Sequence, residues 1–370
     1  MTAGQDYGVR VVIVGATGNV GTSLLAALAG EPAVDSVVGV ARRRPNVEVP
    51  KTEWVAADIV DADLASLFGG ADAVVHLAWL IQPARNRDLL WRVNVEGSSR
   101  VFSAVAAAGV PVLVYASSLG AYSPGSKDRR IDESWPTAGV ATSFYAAHKA
   151  AVERRLDCFE VEYPSVRVVR LRPGLIFKRE AATEIRRLFA GPFLPSALLV
   201  PSRIRLVPDI RGLRFQAVHS LDVGEAYRRA LVTDVRGAFN LAAEPVLDPP
   251  TMAAVFAARC VRVAPRVARA LVAFSFHLHL QPSEPGWLDM ALGVPLMDTT
   301  RARSELGWVP RRSAGDALRE LLSGMAEDAG SKTPPLEPAT SGPLRARELL
   351  TGVGHQGSVG RKSSSGAGER

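Results

Sequence analysis

Apolar residues in the first half of the chain fall into short blocks separated by longer amphipathic stretches. Val9–Val14 is an almost uninterrupted β-branched block, and residues 37–41, 54–57, 73–77, 112–116 and 166–171 repeat its character. Blocks of this length, bounded by turn residues or helices, predict strands buried on both faces. Between them, residues 22–29, 64–68, 87–108 and 144–160 read as helices. Strands alternating with helices predict an α/β fold: a Rossmann-type, doubly wound parallel sheet with helices on both faces.

The alternation stops after Pro173-Gly174. Residues 175–215 and the stretch from about 243 are rich in Pro, Arg and Leu, with helices predicted over 251–262 and 266–280. They predict a smaller, mostly helical lobe over 175–215 and 243–328. Residues 216–231 and 238–242 return to the first pattern, so the chain is expected to weave between the two parts. From Ala329 to Arg370 the composition turns to Gly, Ser, Pro and Lys, which predicts a disordered tail.

Composition narrows the classes of function. The 47% apolar share supports a full core, and the formal charge of +7 comes partly from the tail. No aromatic-plus-basic nucleic-acid module is present, so no nucleic-acid partner is expected. Cys158 and Cys260 stand apart without a ligand pattern, which predicts neither a disulfide framework nor a metal site and points to a reducing, cytoplasmic location. No apolar run reaches the roughly 18 residues of a membrane span. Residues 188–200 and 267–280 are apolar but interrupted by Pro, Arg or His. They read as core or pocket-lining segments, with a peripheral membrane face as the lesser alternative.

Two motifs carry chemistry. Gly15-x-x-Gly18-x-x-Gly21 follows a buried strand and opens a helix, the context in which glycines let the backbone turn tightly and approach a pyrophosphate. Tyr145-x-x-x-Lys149 puts a phenol and an ammonium on one helix face, downstream of Ser117-Ser118 at a strand end. An ammonium near a phenol is expected to lower its pKa from about 10, making Tyr145 a usable acid or base.

With those motifs in order, the sequence resembles an extended short-chain dehydrogenase/reductase, the NAD-dependent epimerase/dehydratase family, over about residues 9–320. Asp58-Ile59, His76-Leu77-Ala78, Asn94-Val95-Glu96-Gly97, Arg172-Pro173-Gly174, Val218 to Val223 and Leu306-Gly307-Trp308 extend the likeness. The resemblance implies that residues 1–174, with the returning 216–242, form an NAD(P)-binding domain, and that the lobe binds substrate. It implies a catalytic trio of Ser118, Tyr145 and Lys149. The cofactor would lie on Gly15, Thr17, Gly18, Asn19, Val20 and Gly21, on Asp58 and Ile59, on Leu77 and Ala78, and on Pro173 and Gly174. Tyr145 and Lys149 would reach it as well.

Two departures refine the expectation. Leu119-Gly120 follow Ser118 where the family's dehydratases carry an acidic pair, which argues against dehydration. Ala41-Arg42-Arg43 close the second strand block where NAD-preferring relatives place an Asp, so Arg42 and Arg43 are expected to favour NADP over NAD. The expected function is NAD(P)-dependent oxidoreduction or epimerisation at a carbinol or carbonyl carbon, with a cofactor-binding sensor as the alternative. A nucleotide sugar or a lipophilic carbonyl or alcohol would be the substrate, and a homodimer is open. His148 reads as a helix-surface residue, His219 as a loop-ordering one, and His277 and His279 as non-ligands.

Overall fold

The β-branched blocks become strands and the stretches between them helices, as the computed structural model shows for residues 8–82, 84–190 and 200–337. In chain order the first half runs β1 (Val9–Val14), α1 (Asn19–Ala29), β2 (Val34–Ala41), β3 (Thr52–Ala56), α2 (Leu64–Phe68) and β4 (Ala73–His76). It continues with α3 (Arg87–Trp91), α4 (Gly97–Ala107), β5 (Val112–Ala116), β6 (Arg130–Ile131), α5 (Phe144–Glu162) and β7 (Arg167–Pro173). A π-helical turn over Arg92–Glu96 joins α3 to α4, so the stretch expected as one helix is helical throughout but locally widened.

The central sheet is seven-stranded and parallel, ordered β11-β7-β5-β4-β1-β2-β3, where β11 is Gly237–Leu241. One core layer lies under α1 and α7 (Ser220–Val232), and the other under α2, α4 and α5. Helices α1 and α7 meet backbone to backbone: a Cβ on Gly224 would stand 2.6 Å from the Ser23 carbonyl carbon, and the Ser23 and Ser220 hydroxyls bond at 2.8 Å.

The second half builds the lobe from β8 (Leu175–Phe177), α6 (Ala182–Ile185), β9 (Leu206–Ile210), β10 (Phe215–His219), β12 (Ala243–Leu247), α8 (Pro249–Phe256) and β13 (Arg259–Val263). The chain continues with α9 (Pro265–His277), α10 (Pro285–Gly293), β14 (Leu296–Met297), α11 (Thr300–Ser304), which packs into the central core, and α12 (Ala314–Ala326). Strands β12-β10-β8 form a small sheet whose apolar side packs on α6, α8 and α12.

Three expectations change. The helix predicted over 251–262 ends at Phe256, because Ala257 turns left-handed (φ 51°) and Arg259–Val263 pairs with β9 instead. Of the returning segment 216–231, α7 packs on the central sheet, while β10 pairs within the lobe's small sheet and sends Val218 into the central core. The tail does not begin at Ala329: the Thr183 hydroxyl donates to the Ala329 carbonyl at 2.6 Å, and Thr333 and Leu336 are buried. Residues 338–370 and 191–199 lie outside the described residues, the latter including most of the apolar 188–200 stretch.

Candidate active site

All strands of the central sheet run in one direction, so the segments leaving β1, β2, β3, β4, β5 and β7 emerge along one edge. Every residue singled out in the sequence for cofactor or chemistry lies on those exits or on the helices facing them. Strand β1 is flanked by β2 on one side and β4 on the other, which makes its exit the point where the winding reverses. Open α/β sheets bind ligands at that crevice.

Gly15 leaves β1 with φ +91°, and a Cβ there would stand 2.7 Å from the Ala78 nitrogen. The residue is glycine because the Leu77-Ala78 backbone passes over it, held there by the Leu77 amide donating to the Val14 carbonyl at 2.8 Å. Thr17 is buried in the turn, and Gly18 is the N-cap of α1 without a side-chain cap bond, leaving the first amides of the helix available. A Cβ on Gly21 would stand 2.5 Å from the Ala16 carbonyl oxygen, so its absence lets α1 close onto the turn. Val20 packs into the core. Asn19 donates to the Ile176 carbonyl at 3.3 Å, while its Oδ1 is buried without a partner.

Beyond the neighbouring strands, Arg42 and Arg43 stand exposed directly after Ala41. Asp58 follows β3 and accepts from the Val60 amide at 3.0 Å, and Ile59 is buried under α4, where a Cβ on Gly97 would meet it. Gly174, at the end of β7, admits the β10 backbone: a Cβ would lie 2.4 Å from the Gln216 oxygen. Pro173 beside it is buried. An open helix N-terminus, an orphaned acceptor on Asn19 and a crevice kept free by glycines fit a dinucleotide.

Ser143 caps α5, its hydroxyl accepting from the Ala146 amide, and the next turn carries Tyr145 and Lys149. Ser118, two residues past β5 in an extended conformation, accepts from the Gly120 amide at 3.0 Å and acts on the Tyr145 phenol. A Cβ on Gly120 would lie 3.0 Å from the Tyr145 ring, so the glycine makes room for it. The structure thus brings Ser118, Tyr145 and Lys149 together.

Electrostatics here depart from the expectation. Burial pushes the Tyr145 phenol above its ordinary value, and the Ser118 hydroxyl draws it only part of the way back. Lys149 does not lower it, because its ammonium is directed elsewhere: Nζ donates to the Ala116 carbonyl at 2.6 Å and sits 3.5 Å from the Trp79 ring centroid. Burial holds Lys149 well below the usual lysine range, opposed by Glu153 one turn further along α5. His148 is buried against Trp91 and Phe144 rather than on the helix surface, and burial takes it down to about 4. His219 caps α7 through Nδ1 at 3.1 Å from the Leu221 amide. Among the described residues no group of three His, Cys, Asp or Glu side chains converges on a metal position.

Sequence reasoning missed the walls of the site. Trp79 directly follows Ala78 and meets the Tyr145 ring edge-on at 5.8 Å, and Trp287 of α10 lies 4.9 Å away on the same ring. Phe144 and Phe189 close around Trp287 at 6.2 and 4.9 Å. The loop carrying Trp79 is clamped by Asn94, which accepts from the Leu80 amide at 2.7 Å and donates to the Leu80 carbonyl at 2.8 Å. A tryptophan immediately after a strand exit was the available signal for Trp79. Trp287 had none, because more than 140 residues part it from Tyr145. In the stretch 267–280, Ala268 is buried while Leu271 and Phe274 are 61% and 64% exposed.

The chain matches the NAD-dependent epimerase/dehydratase family over residues 11–242. It belongs to that family. An uncharacterised protein of Mycobacterium tuberculosis (strain ATCC 25618 / H37Rv) is 29% identical over 315 residues, 84% of this chain, which spans 29% of that relative's length. The decarboxylating sterol-4-alpha-carboxylate 3-dehydrogenase ERG26 of Saccharomyces cerevisiae is 28% identical over 188 residues, half of this chain and 47% of that one. Among solved structures, MoeE5 in complex with UDP-glucuronic acid and NAD superposes with a TM-score of 0.64 at 19% identity, covering 86% of this chain and 99% of that one. That likeness shows the fold. Family membership brings NAD as the cofactor of the group and agrees with the glycine turn at the exit of β1.

Proposed function

We propose that this family member is an NAD(P)-dependent dehydrogenase or reductase that interconverts a secondary alcohol and a ketone on an apolar ring compound. The observation that carries the substrate class is the aromatic wall around Tyr145, formed by Trp79 and Trp287 with Phe144 and Phe189 behind them. Flat aromatic faces offer a ring a large contact area. The half-length likeness to a sterol 3-dehydrogenase supports the same class.

The bound nicotinamide supplies the two-electron acceptor or donor. Ser118 would hold the substrate oxygen and Tyr145 would take or give its proton, with Lys149 released from Trp79 to the nicotinamide ribose. Gly15 to Gly21 would cradle the pyrophosphate, Asp58 and Ile59 the adenine, and Arg42 and Arg43 a 2′-phosphate.

Purified protein with each oxidised cofactor, offered a panel of ring alcohols beside UDP-sugars, tests the reading. The expected result is net cofactor reduction with a ring alcohol, lost by about 10²- to 10⁴-fold in Tyr145→Phe while cofactor affinity stays. Epimerisation of a UDP-sugar without net reduction would overturn the substrate class. Retained turnover in Tyr145→Phe would overturn the role of the phenol.

A further inference from the structure

We propose that the outer face of α9 docks on an anionic lipid bilayer. Val267, Leu271, Phe274 and Leu278 recur at intervals of four, three and four, which places them on one side of the helix, and all four are more than half exposed. Leu280, just past the helix end, is exposed as well. The opposite side is already used: Ala268 is buried, Arg269 pairs with Asp289, and α10 packs there. The helix is therefore apolar on two sides, and only one is covered by the described residues.

Charge identifies the occupant. Between Asp248 and Glu284 the sequence has no acidic residue. Arg259 and Arg262 on the strand leading into the helix and Arg266 in its first turn are exposed, with His277 and His279 at its far end. An apolar stripe bordered by cations, of which Arg262 stands in register with Asp209 of β9, is the pattern of an interfacial helix on anionic headgroups. A second copy fits poorly, because a stretch with no acidic residue between Asp248 and Glu284 offers the arginines of its partner no counter-charge. No described helix is long and apolar enough to cross a membrane, so the helix would lie in the headgroup plane.

The face stands one helix from the chemistry: α10 packs on α9 and carries Trp287 against Tyr145. Arg85 bridges from the loop after β4 to the Phe276 ring, 4.0 Å from its centroid. Docking there would set the aromatic wall beside the bilayer. The inference stands on the helix and its charges, independently of the reaction proposed above.

The full-length protein is spun with vesicles of phosphatidylcholine alone and of phosphatidylcholine mixed with phosphatidylglycerol. Sedimentation with the anionic vesicles, weakening as salt is added, is expected. Leu271→Ser with Phe274→Ser should lower partitioning at least about tenfold, with melting temperature and cofactor affinity unchanged. Turnover of a water-soluble ring alcohol by that variant should equal wild type, which separates this test from the reaction. Absence of sedimentation, equal sedimentation with neutral vesicles, or an unaffected double variant overturns the proposal. So does a concentration-dependent dimer that the same substitutions dissolve without any vesicle binding.

Discussion

Tyr145 is a phenol held above its ordinary pKa by burial, and the sign of its pH dependence follows. Oxidation of an alcohol needs the phenolate, whose fraction below the pKa grows tenfold per pH unit, while reduction needs the protonated form, which is full throughout that range. Log kcat for oxidation should therefore rise with a slope near one between neutrality and about pH 9, and for reduction stay flat. Rate profiles in both directions at saturating substrate check this, and a plateau near neutrality in oxidation would show that the loaded site lowers the phenol after all. Cofactor choice is a second matter of single residues. Ala41→Asp with Arg42→Ala adds a carboxylate that repels a 2′-phosphate and removes a cation that attracts it. Wild type should bind NADPH more tightly than NADH, and the double variant should reverse the order in a calorimetric titration of both.

The helix carrying Tyr145 and Lys149 is fixed from behind by an ion cluster. Glu153, fully buried one turn past Lys149, accepts from Arg172 of β7 at 2.9 Å, from Arg170 at 2.8 Å and from the Ser117 hydroxyl just after β5. Burial pushes its carboxyl up, but Arg172, Arg170 and Ser117 outweigh that and take it down to about 2. A depressed folded-state pKa gives stability that is present above the unfolded value near 4.3 and is lost as pH falls through the folded one. Glu153→Gln keeps the shape but takes from buried Arg172 its carboxylate partner, while Arg170 keeps Asp157 and Glu160, so it should cost about 3–5 kcal/mol at neutral pH. Denaturant unfolding at pH 7 and at pH 3 checks it, with the gap between variant and wild type narrowing in acid. None of this cluster was read from the sequence, because its members lie on three elements and each alone resembles a surface charge. His148 was misread for the same reason: helical spacing does not say which side meets Trp91 and Phe144. The β-strands and the glycine turn were legible because hydrophobic blocks and a short motif are local. Residues 257–262 were not, since an alternating Arg-Val stretch becomes a strand only when β9 lies beside it.

At the scale of the whole chain, the folded body runs further along than composition indicates, at least to Leu336. Leu336 is fully buried, and Ser331 and Leu336 bond to each other across a short turn. Truncation after Glu337 keeps Thr333 and Leu336 in place and should leave the melting temperature unchanged. Truncation after Asp328 should cost about 1.5–3 kcal/mol for the leucine alone; calorimetry of the two truncations beside the full chain decides between them. The lobe, too, is less separate than its sequence suggests. Lys178, just past β8 in the lobe's sheet, donates to the Asn19 carbonyl at 2.9 Å and to the Thr22 and Ser23 hydroxyls, while Asn19 reaches back to Ile176. Hydrogen exchange should then find the amides of residues 19–23 and 176–178 opening as one cooperative unit, since neither segment can fray without releasing the other. Any breathing of the lobe about that seam would loosen the first turn of α1 with it, so the kinetics of cofactor release would carry the signature of the lobe.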